Sequence, residues 1–146
     1  MSATDAFETS LLGLIFTNVD AANVGDAAGL QNSTVAGVFW ISLHTATPGE
    51  TGTQTTNETA YTNYARQDEA RDTAQWTVTG NIADNDNIIS FPTCGVTGST
   101  VTDFGLGSAN VAAGNLFLFG ALTASLIINS GITPSFAIGA LDVTLD

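Results

Sequence analysis

The sequence predicts a mainly β protein: a β-sandwich or jelly roll with a short N-terminal helix and a long polar arm. Three observations carry this prediction. Helical periodicity is confined to the first residues, and from Val35 onward short apolar runs alternate with Gly, Asn, Pro and Thr. Such runs with turn residues between them are typical of sandwiches and related all-β folds. A polar segment at 47–60 then interrupts the strand pattern.

The N-terminal residues predict a short amphipathic helix. Asp5 and Glu8 stand three residues apart and fit a capping pair. One apolar face follows at helical spacing, formed by Phe7, Leu11, Leu14 and Ile15. An internal core is the default partner for this face, and a neighbouring subunit is the alternative. Residues 18–34 are rich in Ala, Gly, Asn and Asp and predict an irregular connection.

The rest of the chain predicts a series of short strands. Alternation is clearest at the C-terminus, where Leu141, Val143 and Leu145 face one side. Phe117 and Phe119 stand two residues apart, so we expect them to share a face and to belong to the core. Turns are predicted at 86–87 and 114–115. The predicted strands are 35–43, 61–66, 76–78, 88–91, 101–106, 116–122, 126–128, 136–138 and 141–145.

The arm, residues 47–60, begins at Pro48-Gly49 and contains no aliphatic residue larger than Ala. Loops of this length inside a compact domain are usually functional. The arm cannot be held by burial of its own side chains, so either backbone hydrogen bonds or packing between subunits must fix its shape. We therefore expect the arm to contact neighbouring subunits, with Tyr61, Tyr64 and Arg66 at its base.

Length and composition predict one domain, residues 1–146, with the helix and connection in 1–34 and the sandwich in 35–146. The chain has 146 residues, 44% of them hydrophobic, and a net charge of −12 with no lysine. Nucleic-acid binding requires clustered Lys and Arg, so no nucleic-acid partner is expected. Anionic membranes would repel such a chain, so no membrane partner is expected either.

The longest apolar stretch, residues 11–16, is too short for a membrane span and follows no basic region. We therefore expect the protein to be made and assembled in a cytoplasm. The single Cys94 excludes an internal disulfide, and its apolar neighbours in FPTCG predict a buried small side chain.

Catalytic and metal motifs are weak, so the sequence predicts no enzyme and no cofactor. His44 is the only histidine, and Ser42 precedes it by two residues, but no GxSxG nucleophile motif is present. We expect His44 to be structural. The oxygen-rich run 84–87 lacks the Gly and trailing Glu of an EF-hand loop, so a polar turn is expected, with an ion site as the alternative.

Several segments together resemble one family. They are FETSLLGLIF near the N-terminus, LHTATPGETGT at 43–53, NETAYTNYARQ at 57–67, VTDFGLG at 101–107, GALT at 120–123 and GALDVTLD at 139–146. Their order and spacing resemble small phage virion structural proteins of the tail-fibre-like or head decoration (cement) type. Asp103 departs from this pattern, because a His is common at that position.

This resemblance implies a virion protein that stabilises the capsid surface at capsomer junctions, with the phage major capsid protein as partner. The alternative is a tail-fibre or tail-tip protein that takes part in binding a host receptor. Cement proteins act by burying surface rather than by chemistry. Because the helix face exceeds what one small sandwich can hide, we also expect a homotrimer.

The candidate interaction residues follow from these arguments. With only two cations in the chain, we expect Arg66 and Arg71 each to pair with a carboxylate. The partner lies either across a subunit boundary or in the chain itself, at Asp68, Glu69 or Asp72. The full set comprises Phe7, Leu11, Leu14, Ile15, Pro48, Glu50, Thr53, Thr55, Asn57, Glu58, Tyr61, Tyr64, Arg66 and Arg71.

Overall fold

The computed structural model describes residues 2–145 and is mainly β, with one short helix, as predicted. Its antiparallel sheets are consistent with a β-sandwich, while a jelly roll in particular stays a prediction. In chain order the elements are α1 Asp5–Phe16, β1 Val38–His44, β2 Gln67–Ala70, β3 Trp76–Thr79, β4 Ile82–Asn85, β5 Ile89–Ser90, β6 Ser99–Gly107, β7 Leu116–Ile128, β8 Ser135–Phe136 and β9 Asp142–Thr144.

The strands form three sheets, in the orders β2-β1-β6-β7, β3-β4-β9 and β5-β8. The chain groups into two compact units, each built from separated segments. The first unit holds residues 2–37, 70–89 and 136–145, and the second holds 38–69 and 90–135. The expectation of a single domain, with residues 1–34 preceding the sandwich, stays a prediction. None of the helices in residues 2–145 is long and apolar enough to cross a membrane.

In the first unit, the N-cap of helix α1 lies one residue before Asp5, the predicted cap. Thr4 is the N-cap, and its carbonyl accepts hydrogen bonds from the N–H groups of Phe7 and Glu8. Asp5 therefore lies in the first turn, and the predicted Asp5–Glu8 cap is wrong. The acidic first turn still suits the positive end of the helix dipole.

The buried face of α1 is adjacent to the predicted one. Glu8, Leu12 and Phe16, spaced by four residues, are buried. The expectation that the core takes the Phe7 face is therefore wrong: Phe7 is 43% exposed, and Leu11, Leu14 and Ile15 are half-buried. Leu12 and Phe16 form the buried face because the ring of Phe16 packs on that of Trp76 in β3, with centroids 4.8 Å apart.

Strands β3 and β4 of the first unit form a tight hairpin. Thr79 pairs with Ile82, and Gly80 has φ +61°, which suits the two-residue turn between them. Strand β4 was not predicted, because its sequence IADN carries no apolar alternation. The alternation predicted for 141–145 is confirmed by β9 and its flanks, with Leu141 buried and Asp142 and Thr144 exposed.

In the second unit, β1 and β6 form the centre of the four-stranded sheet. They pair antiparallel, with Ile41 opposite Leu106 and Leu43 opposite Phe104. The strand predicted at 61–66 is wrong, because Tyr61 begins a turn closed by the Tyr64 N–H to Tyr61 carbonyl bond. Strand β2, with sequence QDEA, follows instead. The runs at 116–122 and 126–128 belong to one long strand, β7.

The predicted core position of two aromatic residues in β7 is also wrong. Phe117 is 53% exposed and Phe119 is 39% exposed. Strand β7 is the last strand of its sheet, so among the described residues no strand pairs with its outer edge. Alternation alone does not distinguish a core face from an open one at the edge of a sheet.

Candidate interaction site: the arm and its buried base

The main chain of the arm folds back onto strand β1. The N–H of Thr45 donates to the Asn57 carbonyl at 2.8 Å, and the N–H of Thr59 donates to the Leu43 carbonyl at 2.9 Å. Between these two bonds, His44 and Glu58 form an isolated antiparallel bridge. The end of the arm therefore extends the β1 ladder, and backbone hydrogen bonds within the chain fix its shape.

Gln54 holds the middle of the arm to the sheet and to the loop at 108–114. Its side chain is fully buried, and its Nε2 donates to the Trp40 carbonyl at 3.1 Å. Its Oε1 accepts the N–H of Ala109 at 2.9 Å, while its own N–H donates to the Ala113 carbonyl. Gly107 makes this possible, because a Cβ there would lie 2.2 Å from Gln54 Cδ.

Arg66 and Glu58 form a buried ion pair under the arm. Arg66 Nε lies 2.7 Å from Glu58 Oε1, and Nη2 lies 2.7 Å from Oε2, so the pair is bidentate. Two further guanidinium N–H groups bind the carbonyls of Ala109 and Ala112. Bonding to Glu58 raises the pKa of Arg66 above its ordinary value. The same cation thus fixes the arm and the 108–114 loop.

Tyr64 completes the arm base, which we define as Glu58, Tyr64 and Arg66. The Tyr64 hydroxyl donates to Glu58 Oε1 at 2.9 Å and accepts the N–H of Leu43 at 3.0 Å. Burial, followed by the nearby Glu58 carboxylate, raises the pKa of Tyr64. Beside it, the Tyr61 hydroxyl donates to the Pro92 carbonyl, and burial raises the pKa of Tyr61 to about 12. Both phenols therefore remain neutral donors.

Ser42 and His44 lie under the arm and are hydrogen-bonded to each other. Ser42 Oγ and His44 Nε2 are 2.8 Å apart, and His44 Nδ1 lies 2.9 Å from the Thr56 carbonyl. A carbonyl only accepts, so Nδ1 carries a proton, and in the neutral ring Nε2 accepts from the serine hydroxyl, which also lies 3.3 Å from the Gly105 carbonyl. Burial lowers the pKa of His44, which favours this neutral form.

This pair has the donor and acceptor arrangement of a serine nucleophile with its base. Two features distinguish it from a catalytic triad. Both side chains are fully buried, and a backbone carbonyl occupies the place of the orienting carboxylate. Gly105 leaves the space for them, since a Cβ there would lie 3.0 Å from His44 Nε2. The geometry is suited to holding Thr56 and hence the arm.

The structure separates the candidate interaction residues by exposure. Glu50, Thr55 and Asn57 of the arm are exposed, while Thr53, Glu58 and Tyr64 are half-buried. Pro48, Tyr61 and Arg66 are buried within their own chain. The exposed arm surface is therefore polar and small, and contacts between subunits through it stay a prediction.

Arg71 acts on the helix of the first unit. Its guanidinium donates to the carbonyls of Leu14 and Ile15 at the end of α1 and to the carbonyl of Ala36. A cation at the C-terminal carbonyls stabilises a helix that has no basic residue in its own last turn. For Arg66, the acid partners suggested by the sequence are wrong, because Glu58 is the ion-pair partner.

The oxygen-rich run 84–87 begins inside a strand rather than in a turn. Asp84 lies in β4, directly opposite Asp142 of β9, and Asp86 accepts a hydrogen bond from Thr77. Burial, followed by the charges of Asp142 and Asp86, raises the pKa of Asp84. No group of three or more His, Cys, Asp or Glu in residues 2–145 is placed to hold a metal ion.

Sequence reasoning missed the residues that hold the arm from below. Gln54 is the one Gln within the Thr-rich arm, and Gly105 and Gly107 stand two apart, so they share one face of β6. Two glycines on one face of a strand indicate that another segment approaches closely there. That pattern could have located the arm on the sheet.

Comparison with known proteins agrees with the resemblance seen in the sequence. A family model described as Podophage GP4 fiber I protein gp80 matches residues 3–144. The family consists of phage virion structural proteins of the fibre-like type, so the expected family is confirmed. No curated protein matches the chain.

Proposed function

Because the chain belongs to the podophage GP4 fiber I protein gp80 family, we propose that it is a non-enzymatic subunit of a phage fibre. In this proposal the arm binds a neighbouring virion subunit. One observation supports this role above all: the arm has exposed polar residues, and its arm base is fixed by a buried, bidentate ion pair. A contact surface that is already rigid loses less conformational entropy on binding.

The environment of the only histidine supports a binding role rather than a catalytic one. Ser42 and His44 are buried, and their hydrogen bonds lead to the arm through Thr56. Both arginines are engaged in their own chain, with Arg66 on Glu58 and Arg71 on helix carbonyls. With fourteen acidic residues opposing them, no cationic surface is available for nucleic acid or an anionic membrane.

The proposed fibre subunit associates as a homotrimer and takes part in host receptor binding at the tail. The helix supports an association of this kind, because Phe7 is 43% exposed and Leu11, Leu14 and Ile15 are only half-buried. A second candidate places the protein on the capsid surface as a cement protein bound to the major capsid protein. The segments LHTATPGETGT and NETAYTNYARQ favour it, because head decoration proteins share that resemblance.

Labelling the protein on intact virions and imaging them by cryo-electron microscopy tests both proposals. A few copies at one vertex support the fibre role, and many copies on the icosahedral lattice support the decoration role. If purified virions lack the protein, both proposals are wrong.

The role of the arm needs a separate experiment, because deleting it would also remove Gln54 and Glu58. We expect the surface substitution Thr55→Arg to leave the fold intact and to reduce incorporation into virions. Thr79→Arg, on an exposed strand residue of the first unit, is the matched control. Equal incorporation of both variants would refute the arm contact without affecting the virion role.

A further inference from the structure

The two edges of the sheet β2-β1-β6-β7 differ in how they are protected against pairing. Strand β2 has 4 residues and carries Asp68 and Glu69. Strand β7 has 13 residues, LFLFGALTASLII, with neither charge nor proline. Short length and charge are the usual devices that prevent an edge strand from pairing with another chain. The β7 edge has neither device.

The regular part of this edge is the segment 118–121, because the register against β6 shifts on both sides of it, between Leu116 and Leu118 and beyond Ala121. On one side it pairs with β6, from Leu106 opposite Leu118 to Asp103 opposite Ala121. Beyond Ala121 the register shifts, so the straight ladder ends there. No strand among residues 2–145 pairs with the other side of β7 in the sheet order. The side chains of Phe117 and Phe119 are 53% and 39% exposed.

The charge distribution indicates which partner fits this edge. No Asp, Glu, Lys, Arg or His occurs between Asp103 and Asp142, although the chain carries a net charge of −12. Asp103, which directly precedes this charge-free stretch, is itself only 7% exposed. A basic partner would recognise the acidic residues elsewhere. A second copy, which carries the same charge, is repelled least where both surfaces lack charge.

We infer that segment 118–121 pairs edge to edge with the same segment of a second copy of this chain, antiparallel about a two-fold axis. Full overlap places Phe119 of one copy opposite Gly120 of the other, with Leu118 of that other copy diagonally beside Phe119. Gly120 already accommodates an aromatic neighbour within the chain, since a Cβ on it would lie 3.2 Å from the Phe104 ring. Pairs of aromatic and aliphatic side chains across strands stabilise antiparallel ladders.

This contact goes beyond the proposed function, because a two-fold pairing relates two copies and does not generate a trimer. It predicts a species of twice the 14.9 kDa chain mass, or of twice the trimer mass where the trimer forms as well. The segment supplies only part of the roughly 20–30 residues that each side of a standard interface contributes. The association is therefore reversible and depends on concentration.

Sedimentation velocity over a range of micromolar concentrations tests the pairing, together with hydrogen exchange of the same samples. We expect mass to rise with concentration while amides in 118–121 exchange more slowly. Amides of β2, the opposite edge, serve as the internal reference. Phe119→Lys should raise the dissociation constant by about tenfold or more, because a charge on the edge prevents pairing. Phe119→Thr, which keeps strand propensity and adds no charge, should weaken association less.

Val35→Lys is the matched control, since Val35 is 79% exposed and lies outside the strand. Both Lys substitutions lower the net negative charge, so general repulsion falls in each, and only Phe119→Lys should weaken association. A monomer at every concentration refutes the inference, as does unchanged association of folded Phe119→Lys and Phe119→Thr. Association with protection only in the arm or helix α1 also refutes it, while leaving the proposed homotrimer intact.

Discussion

Replacing Arg66 by Met should both destabilise the protein and free the arm. Arg66 is 6% exposed and makes a bidentate pair with Glu58 and bonds to two carbonyls of the 108–114 loop. Met preserves much of the side-chain volume but supplies none of these donors. The substitution therefore leaves one carboxylate and two carbonyls without their cation.

The size of the effect follows from what remains behind. Removing one partner of a buried ion pair typically costs about 3–5 kcal/mol, because the other charge stays buried and unpaired. Glu58 retains the bond from the Tyr64 hydroxyl, and 15% of its side chain is exposed. We therefore expect the lower end of that range, about 3 kcal/mol. Typical domains have only about 5–15 kcal/mol of stability in total.

Urea unfolding measures the loss, and a double-mutant cycle assigns it. Glu58→Gln together with Arg66→Met should cost less than the sum of the two single substitutions, by roughly 1–3 kcal/mol. Hydrogen exchange should speed up in the arm and in 108–114. Arg71→Met is the control, since it removes carbonyl bonds at the end of α1 and should leave arm exchange unchanged. A loss below about 1 kcal/mol, or unchanged arm exchange, would refute the argument.

Three further predictions concern packing and charge. Gly107→Ala should destabilise by about 1–3 kcal/mol in urea unfolding, because the added Cβ would overlap Gln54; a neutral result would mean that the arm shifts freely. Asp142→Asn should stabilise by about 0.2–1 kcal/mol at neutral pH. Because the folded-state pKa of Asp84 is raised, its repulsion grows as pH rises through that pKa, so the gain should disappear in acid. The lowered pKa of His44 predicts stability that is complete above about pH 6.5 and declines below it, by at most about 1.4 kcal/mol per pH unit. Unfolding of His44→Asn, in which no histidine remains, should lack that decline between about pH 7 and 5.5.

Local sequence patterns predicted the strands wherever apolar character coincided with burial. Strand β1 ends within one residue of the end of its predicted run 35–43, and β6 contains the whole predicted run 101–106. Strands β2 and β4, with sequences QDEA and IADN, were missed because neighbouring strands, rather than their own side chains, determine their conformation. Tyr61 and Tyr64 favoured a strand at 61–66, but their hydroxyls bind main-chain and carboxylate groups from a turn.

The sequence predicted that groups outside the arm hold it, but not which groups do so, and the arm as an interaction site stays a prediction. Composition showed that the arm could not bury itself, and the structure confirms that backbone hydrogen bonds from outside the segment fix it. Which acid pairs with Arg66 could not be read from spacing, since Glu58 comes close only after the arm folds back on β1. The buried face of helix α1 differs from the predicted face because Phe16 packs on Trp76, which lies sixty positions later in the sequence.

The contacts of the two arginines bear on the surface charge of this acidic chain. Each cation binds main-chain carbonyls: Arg66 binds the 108–114 loop, and Arg71 binds the end of α1. Arg66 also pairs with Glu58, and two arginines face fourteen acidic residues, so the net charge of the chain is strongly negative. Contact between copies then meets the least repulsion where acids are absent or screened by salt. The charge-free stretch between Asp103 and Asp142 contains β7, so the residues that leave the sheet edge unprotected also make it the surface where like-charged copies can meet.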